Sequence, residues 1–134
     1  MKPLTFTILV TVLFSCCKKG ENDCNNMKTN LVSKWEIRES IGSIAGQVVH
    51  QKGNGSILEF KSDNEFNYYF NGNIVQSGTW LLKAASEKNH YTLTLQNNGN
   101  EKVGDVILTG NTLHIQYPVE CCDIPYDFTY ERID

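Results

Sequence analysis

EFNYYFNG, residues 65–72, is the stretch of this sequence that decides its fold class. Its aromatic residues at 66, 68 and 70 alternate with Asn67 and Tyr69, so the two sets point to opposite faces of an extended strand. The Asn-Gly pair that follows favours the positive φ angles of a tight hairpin turn. The stretch therefore predicts a strand with one buried face, followed directly by a second strand.

The same alternation recurs on both sides of this stretch, most clearly in HYTLTLQ (90–96) and TLHIQY (112–117). Clusters of Gly, Asn and Asp separate the segments, and no segment has a sustained period near 3.6. The sequence therefore predicts an all-β antiparallel meander of eight or nine strands, the second of which could be a loop. The predicted strands are 31–40, 47–51, 57–61, 65–71, 75–82, 90–96, 103–109, 112–117 and 126–132.

A meander of this many strands removes its exposed edges most simply by closing into a small barrel. We place this barrel in residues 30–134. A two-sheet β-sandwich is the alternative, although the chain lacks the Cys…Trp…Cys spacing of immunoglobulin domains and the long crossovers of a Greek key.

The N-terminus has the features of an export signal. Lys2 precedes the apolar run LTFTILVTVLF (4–14), which has the length of a secretory h-region and is too short to span a bilayer. LFSC (13–16) resembles a bacterial lipobox, which implies a signal peptide over residues 1–15, cleavage before Cys16 and acylation of Cys16. Several acyl chains would hold the protein at a membrane that it does not span.

The residues after Cys16 predict a tether and a location at the outer membrane. CKKGENDCNNMKTN (17–30) is polar and aperiodic, so residues 16–29 are interpreted as a flexible tether. Cys17 is not the acidic residue that retains some lipoproteins in the inner membrane, which favours the outer membrane of a cell envelope.

Without residues 1–15 the chain carries 11 basic and 15 acidic residues, a net charge of −4, with no basic patch for nucleic acid.

Four cysteines remain besides Cys16. Export permits disulfides, and a bridge between the neighbours Cys121 and Cys122 would be strained, so we expect Cys24 to pair with one of them. The leftover cysteine is then a free thiol or pairs with Cys17.

Several segments together resemble the bacterial lipocalin-like domains carried by exported lipoproteins. In this resemblance, Trp35 in the first strand occupies the position that plugs the closed end of the barrel. The resemblance implies the barrel fold more than a function, and we expect no cofactor. The segments are LVSKWEIRES (31–40), LEFKSDNEFNYYFNG (58–72), SGTWLL (77–82), YTLTLQ (91–96), LTGNTLHIQY (108–117) and YDFTYERI (126–133).

No catalytic or metal constellation is evident, and we expect the protein not to be an enzyme. His90 and His114 fall in the polar phase of their strands and should face solvent, while His50 precedes a glycine turn. The adjacent residues of ECCD (120–123) would point to opposite faces of a strand and could not form a tetrahedral site alone.

The inward phase is rich in aromatic residues, which allows two interpretations. The rings could surround a small apolar ligand, or they could fill the lumen of a packed barrel. We therefore predict an anchored protein that binds a small hydrophobic ligand. The alternative is a structural or interaction module that contacts another envelope protein or a glycan, for which an exposed Tyr69 and the turn at 97–100 are the hints. The candidate lining residues are Trp35, Phe66, Tyr68, Phe70, Trp80, Tyr91, Tyr117 and Phe128.

Overall fold

The computed structural model of the chain describes residues 19–42, 46–85, 90–118 and 126–134. These residues form one helix followed by nine strands. In chain order the elements are α1 (Lys19–Leu31), β1 (Ser33–Gly42), β2 (Gly46–Val49), β3 (Ser56–Phe60), β4 (Glu65–Phe70), β5 (Asn73–Ala84), β6 (Tyr91–Asn97), β7 (Asn100–Thr109), β8 (Thr112–Tyr117) and β9 (Tyr126–Arg132).

The strands form a closed antiparallel barrel, as the sequence predicts, and not a sandwich. Each strand from β3 to β9 pairs with its neighbour in the chain, and β9 pairs with β1 from Trp35↔Arg132 to Ile41↔Asp127. The second predicted segment is also a strand, because β2 pairs with the last residues of β1 while β3 pairs with the first. The barrel thus has eight strands, and β2 is a ninth strand attached to it.

The hairpin turns divide the barrel into two ends. At one end, Asn71-Gly72 joins β4 to β5 and Asn98-Gly99 joins β6 to β7, and all four residues have positive φ. Asparagine and glycine adopt this conformation at low cost, which confirms the predicted turns. We call this the open end. The opposite end, where α1 lies, is the closed end.

Helix α1 corrects two predictions about the N-terminal region. Residues 19–29 are helical rather than a flexible tether, and the folded unit begins before residue 30. Met27 is only 7% exposed and Leu31 is fully buried, so both belong to the barrel core. These two residues lie one turn apart on the same helix face, and their burial stabilises a helix whose other residues are mostly polar. The first residues of the predicted tether, 16–18, lie outside the described residues.

The closed end is filled by two tryptophans beneath α1. The Trp35 indole N–H donates a 2.8 Å hydrogen bond to the Leu31 carbonyl, and the Arg132 guanidinium lies 4.8 Å from the Trp35 ring centroid. Trp80 donates to the Lys61 carbonyl at 3.1 Å. Because both indole N–H groups have acceptors, these large side chains are buried without an unsatisfied donor.

Of the three cysteines in the predicted disulfide, the structure describes Cys24. Cys24 is a free cysteine at the closed end, where its Sγ lies 3.9 Å from the Leu82 carbonyl. Cys121 and Cys122, its predicted partners, lie outside the described residues.

A buried carboxylate fixes the loop between β2 and β3 against the outside of β1. Glu36 is 4% exposed and accepts hydrogen bonds from Arg38 Nη1 at 2.5 Å and from the Gly53 backbone at 3.1 Å. Arg38 Nε also donates to Glu131 on β9 at 2.7 Å. Burial by itself would raise the pKa of Glu36, but these hydrogen bonds outweigh burial and hold the pKa below its ordinary value of 4.5.

We expect the Glu36 carboxylate to make the free energy of unfolding depend on pH in acid. Because the pKa of Glu36 is lower in the folded than in the unfolded chain, its stabilisation is present above the unfolded pKa and is lost as the pH falls through the folded pKa. We expect the free energy of unfolding to decrease with acidification below about pH 4.5, and to decrease less in Glu36→Gln. Urea unfolding at a series of pH values measures this, and identical profiles for both proteins would contradict it.

Candidate ligand-binding site

A cavity of about 180 Å³ opens inside the half of the barrel that lies toward the open end. Its apolar wall comes from five strands, each of which points one side chain inward because of the period-two alternation. Phe128 makes an edge-to-face contact with Tyr117, with 6.0 Å between the ring centroids, and so limits the width of the cavity. The apolar lining residues are Ile37, Leu58, Phe66, Leu95 and Phe128.

Three tyrosines add hydroxyl groups to this apolar wall. Tyr68 is hydrogen-bonded to the Ser56 hydroxyl, whereas no hydrogen bond joins the Tyr117 or Tyr130 hydroxyl to another described residue. Burial raises the pKa of Tyr117 to about 12. Burial, together with the neighbouring Tyr117 and Tyr68, raises the pKa of Tyr130 as well. Tyr117 and Tyr130 therefore stay neutral at physiological pH and can donate hydrogen bonds to a bound molecule.

Two longer polar side chains, Gln76 and Lys102, complete the lining. Lys102, Tyr117 and Phe128 also line a second cavity of about 580 Å³, which lies at the open end beside Pro118 and Tyr126. The inner cavity and this outer cavity thus share three residues. Together they form a path from solvent into the barrel.

The predicted lining residues separate into two groups. Phe66, Tyr68, Tyr117 and Phe128 line the inner cavity. Trp35, Trp80, Phe70 and Tyr91 do not.

The residues of the second group lie at the two ends of the barrel. Trp35 and Trp80 are buried in the closed-end core. Phe70 is the last residue of β4 and is 51% exposed at the open end. Tyr91 begins β6 beneath α1, where its hydroxyl donates to the Asp23 carbonyl at 3.4 Å.

Sequence reasoning missed Lys102 and Gln76 because it searched the inward phase for aromatic residues. The signal for Lys102 was present, since Lys102, Gly104 and Val106 share one phase of β7 and Val106 is fully buried. The signal for Gln76 was also present, since Gln76 shares one phase of β5 with the buried Trp80 and Leu82, and the β-bulge of β5 comes only between Gln76 and Ile74.

The structure also locates the remaining candidates. His90 and His114 are exposed, as predicted, and His50 Nε2 lies 3.0 Å from the Ser40 hydroxyl. The predicted exposure of Tyr69 is wrong, because it is half-buried and donates to Glu59 at 2.7 Å. Within the described ranges, no three His, Cys, Asp or Glu side chains converge on a metal-sized site. In the same ranges, no helix has the length and apolar character to cross a bilayer.

Comparison with known families agrees with this geometry. The sequence model of the lipocalin-like domain matches residues 31–115, well over half of the chain. The chain belongs to the lipocalin-like domain family. The matched region of this lipocalin-like domain runs from the end of α1 into β8 and contains the inward residues from Trp35 to Lys102. Comparison with curated proteins gave no match.

Membership in the lipocalin-like family accounts for the architecture of the site. Lipocalin-like domains are generally binding proteins rather than enzymes, and a barrel with an internal cavity is consistent with a ligand-binding module. In this lipocalin-like domain, α1 and Trp35 cover one end, so the candidate cavity opens at the other end.

Proposed function

We propose that the protein is a lipid-anchored, non-enzymatic lipoprotein of the cell envelope that binds a small hydrophobic molecule inside its barrel. The observation that supports ligand binding is the inner cavity, which is apolar, contains donors without partners among the described residues, and leads to the entrance at Pro118 and Tyr126. Convergent polar groups in an apolar pocket are the usual features of a small-molecule site.

The ligand-binding proposal is tested by native mass spectrometry. The chain from Cys16 to Asp134, expressed without residues 1–15, contains every described helix and strand. Purified from a bacterial host, it is expected to carry a mass excess that disappears after extraction with organic solvent. No excess, together with no uptake of added apolar molecules, would contradict the proposal.

A substitution that fills the cavity should abolish this mass excess. Gln76 lines the inner cavity yet is exposed, so Gln76→Trp can place an indole in the lumen without displacing a buried side chain. We expect the affinity for any apolar ligand to fall at least tenfold, which corresponds to about 1.4 kcal/mol. Gln116→Trp is the matched control, because Gln116 is exposed on β8, whose inward residues are Leu113 and Ile115. Equal binding by both variants would place the ligand elsewhere.

The proposed anchor rests on the resemblance of residues 13–16 to a lipobox. In bacteria grown with labelled palmitate, the protein is expected to incorporate label and to sediment with outer membranes. Cys16→Ala should abolish the label, whereas Cys17→Ala should retain it. Label that persists in Cys16→Ala would contradict acylation at this residue.

A second candidate function follows from the small size of the inner cavity. Pockets for drug-sized ligands usually have volumes of 300–1,000 Å³, whereas this cavity has about 180 Å³. A barrel that its own side chains nearly fill would act through its surface, by contacting another envelope protein or a glycan. Pull-down with the anchored protein would support this alternative if Gln76→Trp retained every captured partner.

A further inference from the structure

Lys102 is a cation on the inner side of the barrel wall. Lys102 on β7 is directly opposite Leu95 on the neighbouring strand β6. The side chains of two residues opposite each other in paired strands lie on the same face of the sheet. Leu95 is buried in the core, so Lys102 belongs to the inward phase of β7; it is exposed near the open end and lines both cavities. No hydrogen bond or ion pair joins Lys102 to another described residue.

Among the described residues, no acidic side chain shares the inner cavity with Lys102. It is the one charged side chain among the described residues that line the inner cavity. Glu101, its neighbour on β7, lines the outer cavity. Glu101 pairs with Gln96, which turns away from the core, and accepts a hydrogen bond from its amide at 3.4 Å. The described part of the lumen therefore presents one ammonium group, on a residue that lines both the inner and the outer cavity.

Tyr117 supplies a neutral donor to the same two cavities as this ammonium group. Both residues line both cavities, and neither makes a hydrogen bond to another described residue. An ammonium and a phenol without partners match a carboxylate, which accepts several hydrogen bonds and carries the opposite charge.

We propose that the ligand of this site is a small amphiphile with one carboxylate, held by Lys102 and Tyr117 at the entrance, with its apolar part in the inner cavity. This proposal rests on the proposed ligand-binding function and specifies the ligand class. The carboxylate stays at the entrance because burying it deeper would remove it from water and from the one cation.

The volume of the inner cavity limits the apolar part of the ligand. A cavity of about 150 Å³ is sufficient for a benzene ring, so about 180 Å³ accepts one ring or a short alkyl chain. Phe66 and Phe128 on the wall offer ring edges and faces to an aromatic ligand. The acyl chain of a long fatty acid exceeds this volume.

The test uses isothermal titration of residues 16–134 with three probes at pH 7. These are 3-phenylpropionate, the neutral 3-phenylpropan-1-ol and palmitate. We expect phenylpropionate to bind at least tenfold more tightly than the alcohol and no more weakly than palmitate. Lys102→Gln should weaken phenylpropionate binding about tenfold and leave alcohol binding unchanged. Lys102→Arg should restore binding of the acid to within threefold.

Lys83→Gln is the matched control, because Lys83 is exposed on β5 next to the inward residue Leu82 and lines neither cavity. It should bind all probes as the unsubstituted chain does. Equal affinity for acid and alcohol would overturn carboxylate recognition while the proposed lumen binding stands. Tighter binding of palmitate would overturn the size limit. No binding of any probe would overturn this proposal, whereas the mass excess described above tests the proposed function separately. Equal melting temperatures of the variants exclude unfolding as the cause.

Discussion

Trp35→Ala is expected to lower the free energy of unfolding by about 4 kcal/mol, within the range for removing a fully buried tryptophan. Trp35 has no exposed surface, and its indole donates to the carbonyl that ends α1. Its loss would leave a cavity between α1 and the barrel and remove the cation–π contact with Arg132, which lies 4.8 Å from the ring centroid. Since domains of this size are stable by about 5–15 kcal/mol, the variant should be close to unfolding at 37 °C.

Equilibrium unfolding in urea, followed by circular dichroism, measures this effect. Phe70→Ala is the matched control, because it also removes an aromatic ring from the inward phase, but from a residue that is 51% exposed. We expect its cost to be below about 1 kcal/mol. The loss of unfolding free energy in Trp35→Phe should lie between the losses in Trp35→Ala and Phe70→Ala, because this variant keeps an apolar ring and loses the hydrogen bond. A smaller cost for Trp35→Ala than for Phe70→Ala would contradict the assignment of the closed end.

Gly78→Ala is expected to lower the free energy of unfolding by about 3 kcal/mol, although it adds only one methyl group. A Cβ atom at this position would collide with the backbone carbonyl of Gln96 and approach the Phe66 ring to 2.9 Å. Gln96 belongs to β6, which pairs with β5, so its carbonyl can move only if the barrel wall deforms. Phe66 pairs directly with Gly78 and covers it, as aromatic residues often cover glycines at bends in curved sheets.

Ser77→Ala separates this collision from a general effect of substitution in β5. Ser77 is the exposed neighbour of Gly78, and its replacement should change the free energy of unfolding by less than about 0.5 kcal/mol. Thermal unfolding of the two variants in the same buffer gives the comparison. Equal melting temperatures would mean that the wall of the barrel adapts to a side chain at residue 78.

The sequence predicts the barrel well because each strand needs one inward face. Period-two alternation in segments such as EFNYYFN identifies the strands, and Asn-Gly pairs locate the turns. Closure through β1 and β9 follows from the need to cover edges rather than from any residue. Helix α1 could not be predicted in this way, because its stability comes from burying Met27 and Leu31 against the barrel and its other residues favour loops.

The site was less predictable than the fold. Alternation shows that an aromatic side chain points inward, but it does not show how far along the barrel axis the ring lies. Trp80 and Tyr68 share the inward phase, yet Trp80 fills the closed end while Tyr68 lines the cavity. The height of a residue in a barrel depends on the tilt and stagger of the strands, which arise only when the barrel closes.

The short distance between the proposed anchor and α1 has a consequence for how the molecule is oriented. Only residues 17 and 18 separate Cys16 from the first helical residue, so an extended chain spans about 10 Å at most. On the proposed acylation, the helix and the end of the barrel that it covers would rest near the lipid head groups. The entrance beside Lys102 would then face the aqueous compartment. Such a receptor would collect dissolved molecules from the water and would not draw lipids out of the membrane that holds it.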